Sequence, residues 1–145
     1  MRSVPLVADC DACENSGLSR GEIKLNDTSD FRDTLEVFDN PATSRNFTIE
    51  HHCPEFTSVC PKTGQPDYGT IVFTYVPDQV CVELKSLKMY LQRFRNEGIF
   101  YEAVTNRIMD DFIAVVNPKS ATVESRWTPR GGLNSNIIVR YPENS

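Results

Sequence analysis

The sequence predicts a single α+β domain in which two helices cover one face of an antiparallel sheet. Two observations support this prediction. Two segments with helical spacing of apolar residues follow each other in the middle of the chain, and strand-like segments lie on both sides of them. The resulting order is β-β-α-α-β-β. A chain of 145 residues suits one hydrophobic core and leaves little room for a second.

Ordered structure is expected to begin near Thr34, and the first two long strands are predicted at residues 46–53 and 69–76. In the second of these, aromatic and aliphatic residues alternate with threonine and valine, which is the period-2 pattern of a strand. Pro77 and Asp78 predict a turn. Residues 80–84 are then predicted to form a short strand that enters a helix.

The two helices and the last two strands fill the remainder of the chain. The first helix carries apolar residues at helical spacing from Leu84 and ends at Gly98. The second begins at Phe100 and ends near Pro118. Two strands, at residues 121–127 and 136–141, close the chain. A single sheet of this kind has open edges, which association of subunits into a barrel would cover.

Residues 1–32 are polar and lack sustained periodicity, so we predict a loose tail or a partly docked arm, with the domain over residues 33–145. The formal net charge of −5 disfavours nucleic acid as a partner. No apolar run approaches the roughly 18 residues that span a bilayer, and we expect no secretory signal. The five cysteines are irregularly spaced, which favours reduced thiols in the cytoplasm.

Cysteines and histidines at two places in the chain could in principle bind zinc. Cys10 and Cys13 form a C-x-x-C pair, and His51, His52 and Cys53 offer further ligands. A zinc site normally needs a second ligand pair at suitable spacing, which the chain does not show. The alternative is that the two histidines simply end a strand. We therefore predict no metal.

Cys60 is the candidate nucleophile. Two prolines and a glycine surround it, which predicts a rigid loop over residues 55–67, and such loops often carry catalytic groups. A thiol becomes a strong nucleophile when partly ionised, and Lys62 would favour the thiolate. Asp67 follows after a turn that returns the chain, and a carboxylic acid there can protonate a nitrogen. By spacing alone, a buried free cysteine and an aspartate in a turn explain the same residues.

Two further segments have both structural and functional interpretations. Residues 83–88 place charged and hydroxyl side chains at the start of the first helix, where a solvated helical face is the simpler explanation. Residues 129–132 read Pro-Arg-Gly-Gly, which is typical of a hairpin turn. An arginine beside such a turn can also bind a phosphate group.

Taken together, these segments resemble the single-module 7-cyano-7-deazaguanine reductases of queuosine biosynthesis. Four stretches carry the resemblance, which spans about residues 34–141: 35–41 (LEVFDNP), 54–67 (PEFTSVCPKTGQPD), 83–90 (ELKSLKMY), and 94–102 together with 128–132. The second and third stretches look like the family's nucleophile loop and its cofactor signature.

The resemblance implies the tunnelling fold, whose β-β-α-α-β-β unit agrees with the order predicted above. It implies a homo-oligomeric barrel, a decamer of two pentamers. It also implies an NADPH-dependent oxidoreductase that takes the nitrile of 7-cyano-7-deazaguanine to an aminomethyl group in a four-electron reduction. Cys60 would form a covalent thioimide with the nitrile carbon, and Asp67 would protonate the nitrogen.

The resemblance also implies binding residues. Val82, Glu83 and Leu84 match one substrate-contacting segment, and Glu102 matches the carboxylate that accepts two N–H groups of the purine-like ring. Tyr101 stands beside it, where many members of the family have histidine. The residues that fall where the family contacts NADPH are Leu84, Lys85, Ser86, Lys88, Arg130 and Gly131.

Two alternative functions remain open at this point. One is an amidine-forming enzyme that acts on the nitrile base within tRNA, which would share Cys60 and Asp67 but should lack the Glu-x-Lys-Ser-x-Lys segment. The other is a non-catalytic module of the same fold that binds a purine or pterin. The presence of both Cys60 and Asp67 disfavours that module.

Overall fold

The computed structural model describes residues 31–144 and confirms the predicted α+β class. Two complete α-helices and six strands lie within this range, and residues 31–32 are also helical. The strands are β1 (Val37–Asp39), β2 (Ile49–Val59), β3 (Pro66–Val76), β4 (Val80–Val82), β5 (Ser120–Trp127) and β6 (Asn136–Tyr141). The helices are α1 (Leu84–Gln92) and α2 (Tyr101–Val116), with a 3₁₀ turn at Arg93–Asn96 between them.

The main sheet has four antiparallel strands in the order β2-β3-β5-β6. Phe73 of β3 lies opposite His51 of β2 on one side and opposite Val123 of β5 on the other. These strands and the two helices give the predicted order β-β-α-α-β-β. The short strand predicted after the first hairpin is β4, and it pairs with β1 to form a second, two-stranded sheet.

The hydrophobic core lies between the main sheet and the helices. Phe73 and Tyr75 point from β3 towards Phe112 of α2, with ring centroids 5.2 Å and 5.0 Å apart. All three rings are at most 1% exposed, and burying a side chain of this size contributes roughly 1.5–3 kcal/mol. The alternating pattern that predicted β3 is therefore the pattern that fixes the core.

The helix ends follow from local chemistry. Glu83 caps α1, and its carboxylate accepts the backbone N–H groups of Lys85 and Ser86. Helix α2 ends where Asn117 adopts a left-handed conformation with φ of 45°, which asparagine tolerates better than most residues. The first helix is shorter than predicted, because the chain tightens into the 3₁₀ turn from Arg93 before it reaches Gly98.

The prediction of a loop over residues 55–67 was wrong. Strand β2 continues to Val59 and β3 begins at Pro66, so only residues 60–65 form the connection. The alternation in β2 is interrupted by a register shift between Cys53 and Phe56, which hid the second half of the strand. Pro54 is tolerated there because β2 is an edge strand of the sheet.

The last two residues of the predicted tail, Phe31 and Arg32, pack on the domain. Phe31 is 3% exposed and its ring lies 5.0 Å from that of Phe94. Arg32 pairs with the buried Asp111, with Nε 3.3 Å from Oδ1. The remainder of the tail, including Cys10 and Cys13, lies outside the described residues. Neither helix within residues 31–144 has the length and apolar character needed to span a bilayer.

Candidate active site

The hairpin between β2 and β3 brings Cys60 and Asp67 to the same end of the sheet. Cys60 directly follows β2, and its N–H donates to the carbonyl of Gln65 at 2.8 Å, while Gly64 donates back to the Cys60 carbonyl at 2.9 Å. Gly64 has φ of 71°, which a glycine adopts without strain. Asp67 lies opposite Ser58 in the ladder, so the return of the chain predicted from the sequence occurs.

The turn itself lowers the pKa of the Cys60 thiol below its ordinary value. The largest cause is the hydrogen bond from the Thr63 hydroxyl, followed by the backbone N–H groups of Thr63 and Lys62. Lys62 therefore helps through its backbone, whereas the sequence suggested its charge. Burial acts in the opposite direction on Cys53, raising its pKa to about 11, and burial also raises the pKa of Cys81. Cys60 is the most readily ionised of these three thiols.

Asp67 is a buried carboxylate with two donors on one oxygen. It is 3% exposed, and its Oδ1 lies 3.2 Å from the Tyr101 hydroxyl and 3.2 Å from Nε of Arg130. Arg130 also donates to Oε1 of Gln65 at 3.2 Å and to the carbonyl of Pro66. A buried charge requires such partners, and the structure thus gives Arg130 a role at the hairpin in addition to its predicted contact with the cofactor.

The turn that presents Arg130 is the hairpin connection predicted for residues 129–132. Arg130 and Leu133 exchange backbone hydrogen bonds of 2.7 Å and 3.0 Å across it. Gly131 and Gly132 between them have φ of 58° and 78°, the positive values that this two-residue turn requires. Gly131 therefore has a clear structural reason to be glycine, whether or not it also approaches a ligand.

Tyr101 begins helix α2 and stacks on Trp127, with ring centroids 3.8 Å apart and planes inclined by 11°. The stack depends on Gly69, because a Cβ there would lie 2.7 Å from the Arg126 carbonyl oxygen and 3.1 Å from the Trp127 ring. Burial, followed by the charge of Asp67, raises the pKa of Tyr101. Its hydroxyl therefore remains a hydrogen-bond donor at neutral pH.

A chain of buried hydroxyl groups holds this stack in place. Nε1 of Trp127 donates to the Ser125 hydroxyl at 2.9 Å, and Ser125 lies 2.6 Å from the Thr105 hydroxyl. Thr105 donates its one proton to the Tyr101 carbonyl at 2.6 Å, so Ser125 is the donor to Thr105. None of these three residues was predicted from the sequence to support the site, although Trp127 is the single tryptophan of the chain and ends a strand just before the Arg-Gly-Gly turn.

The predicted binding residues of β4 and α1 form a second group. Val82 is 2% exposed in the core, and its N–H donates to the Tyr75 hydroxyl at 3.2 Å. Glu83 accepts from the backbone of Lys85 at 2.8 Å and of Ser86 at 2.7 Å, and these bonds lower its pKa. Within residues 31–144, no hydrogen bond or ion pair joins this group to Cys60 or Asp67.

Ser86 is 5% exposed and its hydroxyl is fully used within the fold. It donates to the carbonyl of Glu83 at 2.7 Å and accepts the N–H of Glu36 at 2.9 Å. These bonds tie the start of α1 to Glu36, directly before β1. Its clearest contribution is therefore to fix this helix terminus, which carries the exposed Lys85.

A groove of about 440 Å³ runs between α1 and β2. Leu84, which is 59% exposed, and Lys88 border it, and Arg95 adds a second cation that sequence analysis did not single out. Glu102 lies apart from this groove. It is exposed in the first turn of α2, directly after Tyr101.

The two histidines considered as zinc ligands are engaged in other ways. The His52 ring bonds Glu50, and burial lowers the pKa of His51. Within residues 31–144, no three side chains of the types that bind metals are grouped as a metal site. Cys10 and Cys13 are not among those residues.

The fold and the hairpin define a small α+β protein with a cysteine–carboxylate site at the end of an antiparallel sheet. The chain belongs to the QueF-like protein family, whose sequence profile matches residues 66–145. It is 84% identical over 119 residues to the NADPH-dependent 7-cyano-7-deazaguanine reductase of Rhodopirellula baltica, covering 82% of this chain and 98% of that relative. The reductase of the same name from Chlorobium luteolum is 57% identical, over 76% of this chain and 95% of that relative.

The fold is also found in a solved structure. The crystal structure of the archaeosine synthase QueF-Like in the apo form superposes with a TM-score of 0.58, covering 66% of this chain and 91% of that one. The sequence identity is 18%, so this similarity concerns the fold alone.

Proposed function

We propose that this protein reduces the nitrile of 7-cyano-7-deazaguanine to an aminomethyl group with NADPH; its relatives are named NADPH-dependent 7-cyano-7-deazaguanine reductases. The reaction belongs to queuosine biosynthesis. The observation that carries the proposal is the hairpin in which Cys60, with its lowered pKa, lies close to the buried Asp67. This pair supplies a nucleophile and a proton donor, the two groups that addition to a nitrile requires.

Cys60 is the proposed nucleophile. Its sulfur forms a bond to the nitrile carbon while one carbon–nitrogen π bond breaks, and the nitrogen takes up a proton to give a thioimide. The thiol loses one proton and the nitrogen gains one, so the addition is balanced. Formation of the thioimide makes the carbon a better acceptor than the bare nitrile. The carbon–sulfur bond later breaks and returns the thiol.

Asp67 is the proposed proton carrier between sulfur, nitrogen and solvent. Each time it gives a proton to the nitrogen, a carboxylate remains in a site that is almost closed to water. The Tyr101 hydroxyl and the Arg130 guanidinium, both 3.2 Å from Oδ1, stabilise that carboxylate. General acid help of this kind typically contributes about 10²–10⁴-fold in rate.

The groove between α1 and β2 fits part of an anionic dinucleotide. Its volume of about 440 Å³ lies in the range of ligand sites. It combines an apolar wall with the cations Lys88 and Arg95, while Glu50 and Glu55 line it from β2, so a phosphate would lie on the side of the two cations. When bound, NADPH supplies the hydride for both reductions. We propose Leu84, Lys85 and Lys88 as its contacts. The predicted contacts of Ser86, Arg130 and Gly131 with NADPH stay proposals. A phosphate of NADPH would compete with Asp67 for the Arg130 guanidinium.

The purine-like ring of the substrate is proposed to bind beside helix α2. Glu102 is exposed there, and its carboxylate can accept two parallel N–H groups of the ring. Tyr101 is held beside it by the Trp127 stack. The segment Val82–Leu84 is the second proposed contact. Because the Val82 side chain is buried, any contact from that residue would come from its backbone.

We further propose that the protein works in the cytoplasm as a homo-oligomer, a decamer of two pentamers, without a nucleic-acid or membrane partner. Strands β2 and β6 are edges of the main sheet within the single chain, and pairing edges between subunits would close it. Light scattering of the active protein tests this assembly. A fully active monomer would contradict it.

The decisive experiment mixes the protein with 7-cyano-7-deazaguanine and follows both intact mass and NADPH absorbance. We expect a covalent adduct on the unchanged chain, none on Cys60→Ala, and two NADPH oxidised per nitrile. The proposal fails if no NADPH is consumed while ammonia and nitrile-bearing tRNA yield an amidine.

A further inference from the structure

Ser58 is a polar residue at the hairpin whose hydroxyl has no hydrogen-bond partner among residues 31–144. It lies in β2, directly opposite Asp67 in the antiparallel ladder. Residues opposed in this way place their side chains on the same face, with Cβ atoms about 4.5–5.5 Å apart. Ser58 is 0% exposed, and its Oγ is buried without a hydrogen bond.

A buried hydroxyl of this kind is unusual, because folded proteins satisfy nearly all such groups. Ser125 shows the ordinary case in the same sheet, since it is equally buried and bonds both Trp127 and Thr105. The fold has therefore closed a hydroxyl into its core beside a carboxylate and left the hydroxyl free. This is the arrangement expected of a group that acquires its partner during the reaction.

We infer that Ser58 is a positioning residue for Asp67, and that its hydroxyl accepts the hydrogen bond of the protonated carboxylic acid. This inference rests on the proposed function, in which Asp67 must hold a proton before the nitrogen takes it. A protonated carboxyl group has one O–H donor and needs an acceptor nearby to keep that proton oriented. The structure shows the other state, in which Tyr101 and Arg130 hold the carboxylate and the Ser58 hydroxyl makes no bond to it, so the contact forms by a turn of the side chains when Asp67 takes up its proton.

The other groups that face Asp67 are poorly suited to this task. Arg130 is only a donor, and the Tyr101 hydroxyl donates its proton to Oδ1 of Asp67. Both therefore favour the ionised form. Cys60, on the turn, is the reaction partner, and its sulfur becomes bonded to the substrate. Ser58 is the one of these neighbours that is free to accept.

The test is Ser58→Ala, assayed by the rate of covalent adduct formation with 7-cyano-7-deazaguanine in the absence of NADPH. We expect the rate of adduct formation and kcat to fall about tenfold, the effect of losing one ordinary hydrogen bond. KM for the nitrile should be unchanged, because Ser58 acts through Asp67. The melting temperature should be equal or higher, since a hydroxyl without a partner has been removed.

Two further variants make the result decisive. Ser58→Thr keeps the hydroxyl and should recover most of the rate, and Ser120→Ala makes the same substitution at the far end of β5 and should change nothing. The inference is overturned if Ser58→Ala reacts at the unchanged rate, or if it loses stability and raises KM along with the slower rate. If the unchanged protein forms no adduct, the proposed function itself is wrong and this inference falls with it.

Discussion

Replacing Thr63 by valine should slow alkylation of Cys60 at pH 7. The Thr63 hydroxyl is the largest cause of the lowered pKa of Cys60, and valine removes it while keeping the shape and the backbone N–H. The pKa of Cys60 then rises towards its ordinary value, so less thiolate is present at pH 7. Because iodoacetamide reacts with the thiolate, the rate should fall several-fold.

A lower limit for the ratio of the alkylation rates of Cys60 and Cys53 follows from their pKa values. A thiol whose pKa is about 11 is ionised in about one molecule in 10⁴ at pH 7, and one at the ordinary value of 9.0 in about one in 10². Cys60 lies below that ordinary value. It should therefore be alkylated more than about 100-fold faster than Cys53 in the unchanged protein. Thr63→Val should lower the ratio of the Cys60 and Cys53 alkylation rates towards about 100.

Peptide mass mapping after short exposure to iodoacetamide resolves each cysteine, including Cys10 and Cys13. Lys62→Ala is the informative companion variant, because it removes the ammonium group and keeps the N–H that bonds Cys60. Thr122→Val controls for the substitution itself at a distance from the turn. If Lys62→Ala slows alkylation while Thr63→Val does not, the charge of Lys62 activates the thiol and the hydrogen-bond account is wrong.

Three further variants probe the surroundings of the hairpin. Tyr101→Phe keeps the stack but removes a donor to Asp67, so kcat should fall roughly tenfold with KM unchanged; a changed KM alone would contradict this. Ser125→Ala should lower the free energy of unfolding by about 1–3 kcal/mol in urea titration, because the Trp127 N–H loses its partner; unchanged stability would show that water replaces the hydroxyl. Gly69→Ala should cost about 1–3 kcal/mol through overpacking and shift the tryptophan fluorescence, and an unaltered spectrum would refute the close contact.

The elements that sequence periodicity predicted well are those whose two faces differ. Strand β3 alternates cleanly because one face meets α2, and its predicted range of 69–76 lies within the observed Pro66–Val76. Helix α2 was found almost to the residue, since Asn117 and Pro118 stop it. Strand β2 was cut short at residue 53, because its register shift breaks the period on which the prediction relied.

The local composition of the hairpin made Cys60 and Asp67 candidates, although a buried cysteine and a turn aspartate explained it equally well. Prolines and a glycine between two strand-like segments indicate a rigid turn, and the resemblance to a known family gave the two side chains their roles. What composition does not contain is the electrostatic cause. The pKa of Cys60 is lowered by a hydroxyl and two N–H groups whose directions depend on the conformation of the turn.

The sequence by itself therefore predicted the class of fold and the order of its elements, and it marked Cys60 and Asp67 as candidates, because periodicity and turn composition depend on neighbouring residues. Only the tertiary structure decided what surrounds that pair. Tyr101 and Arg130 reach Asp67 from 34 and 63 residues away along the chain, and Trp127 supports Tyr101 across the sheet. Ser58 stands out only in the folded domain, where its hydroxyl is buried without a partner among residues 31–144. Such contacts arise from the packing of α2 and the β5–β6 turn onto one end of the sheet, and no spacing in the sequence records them.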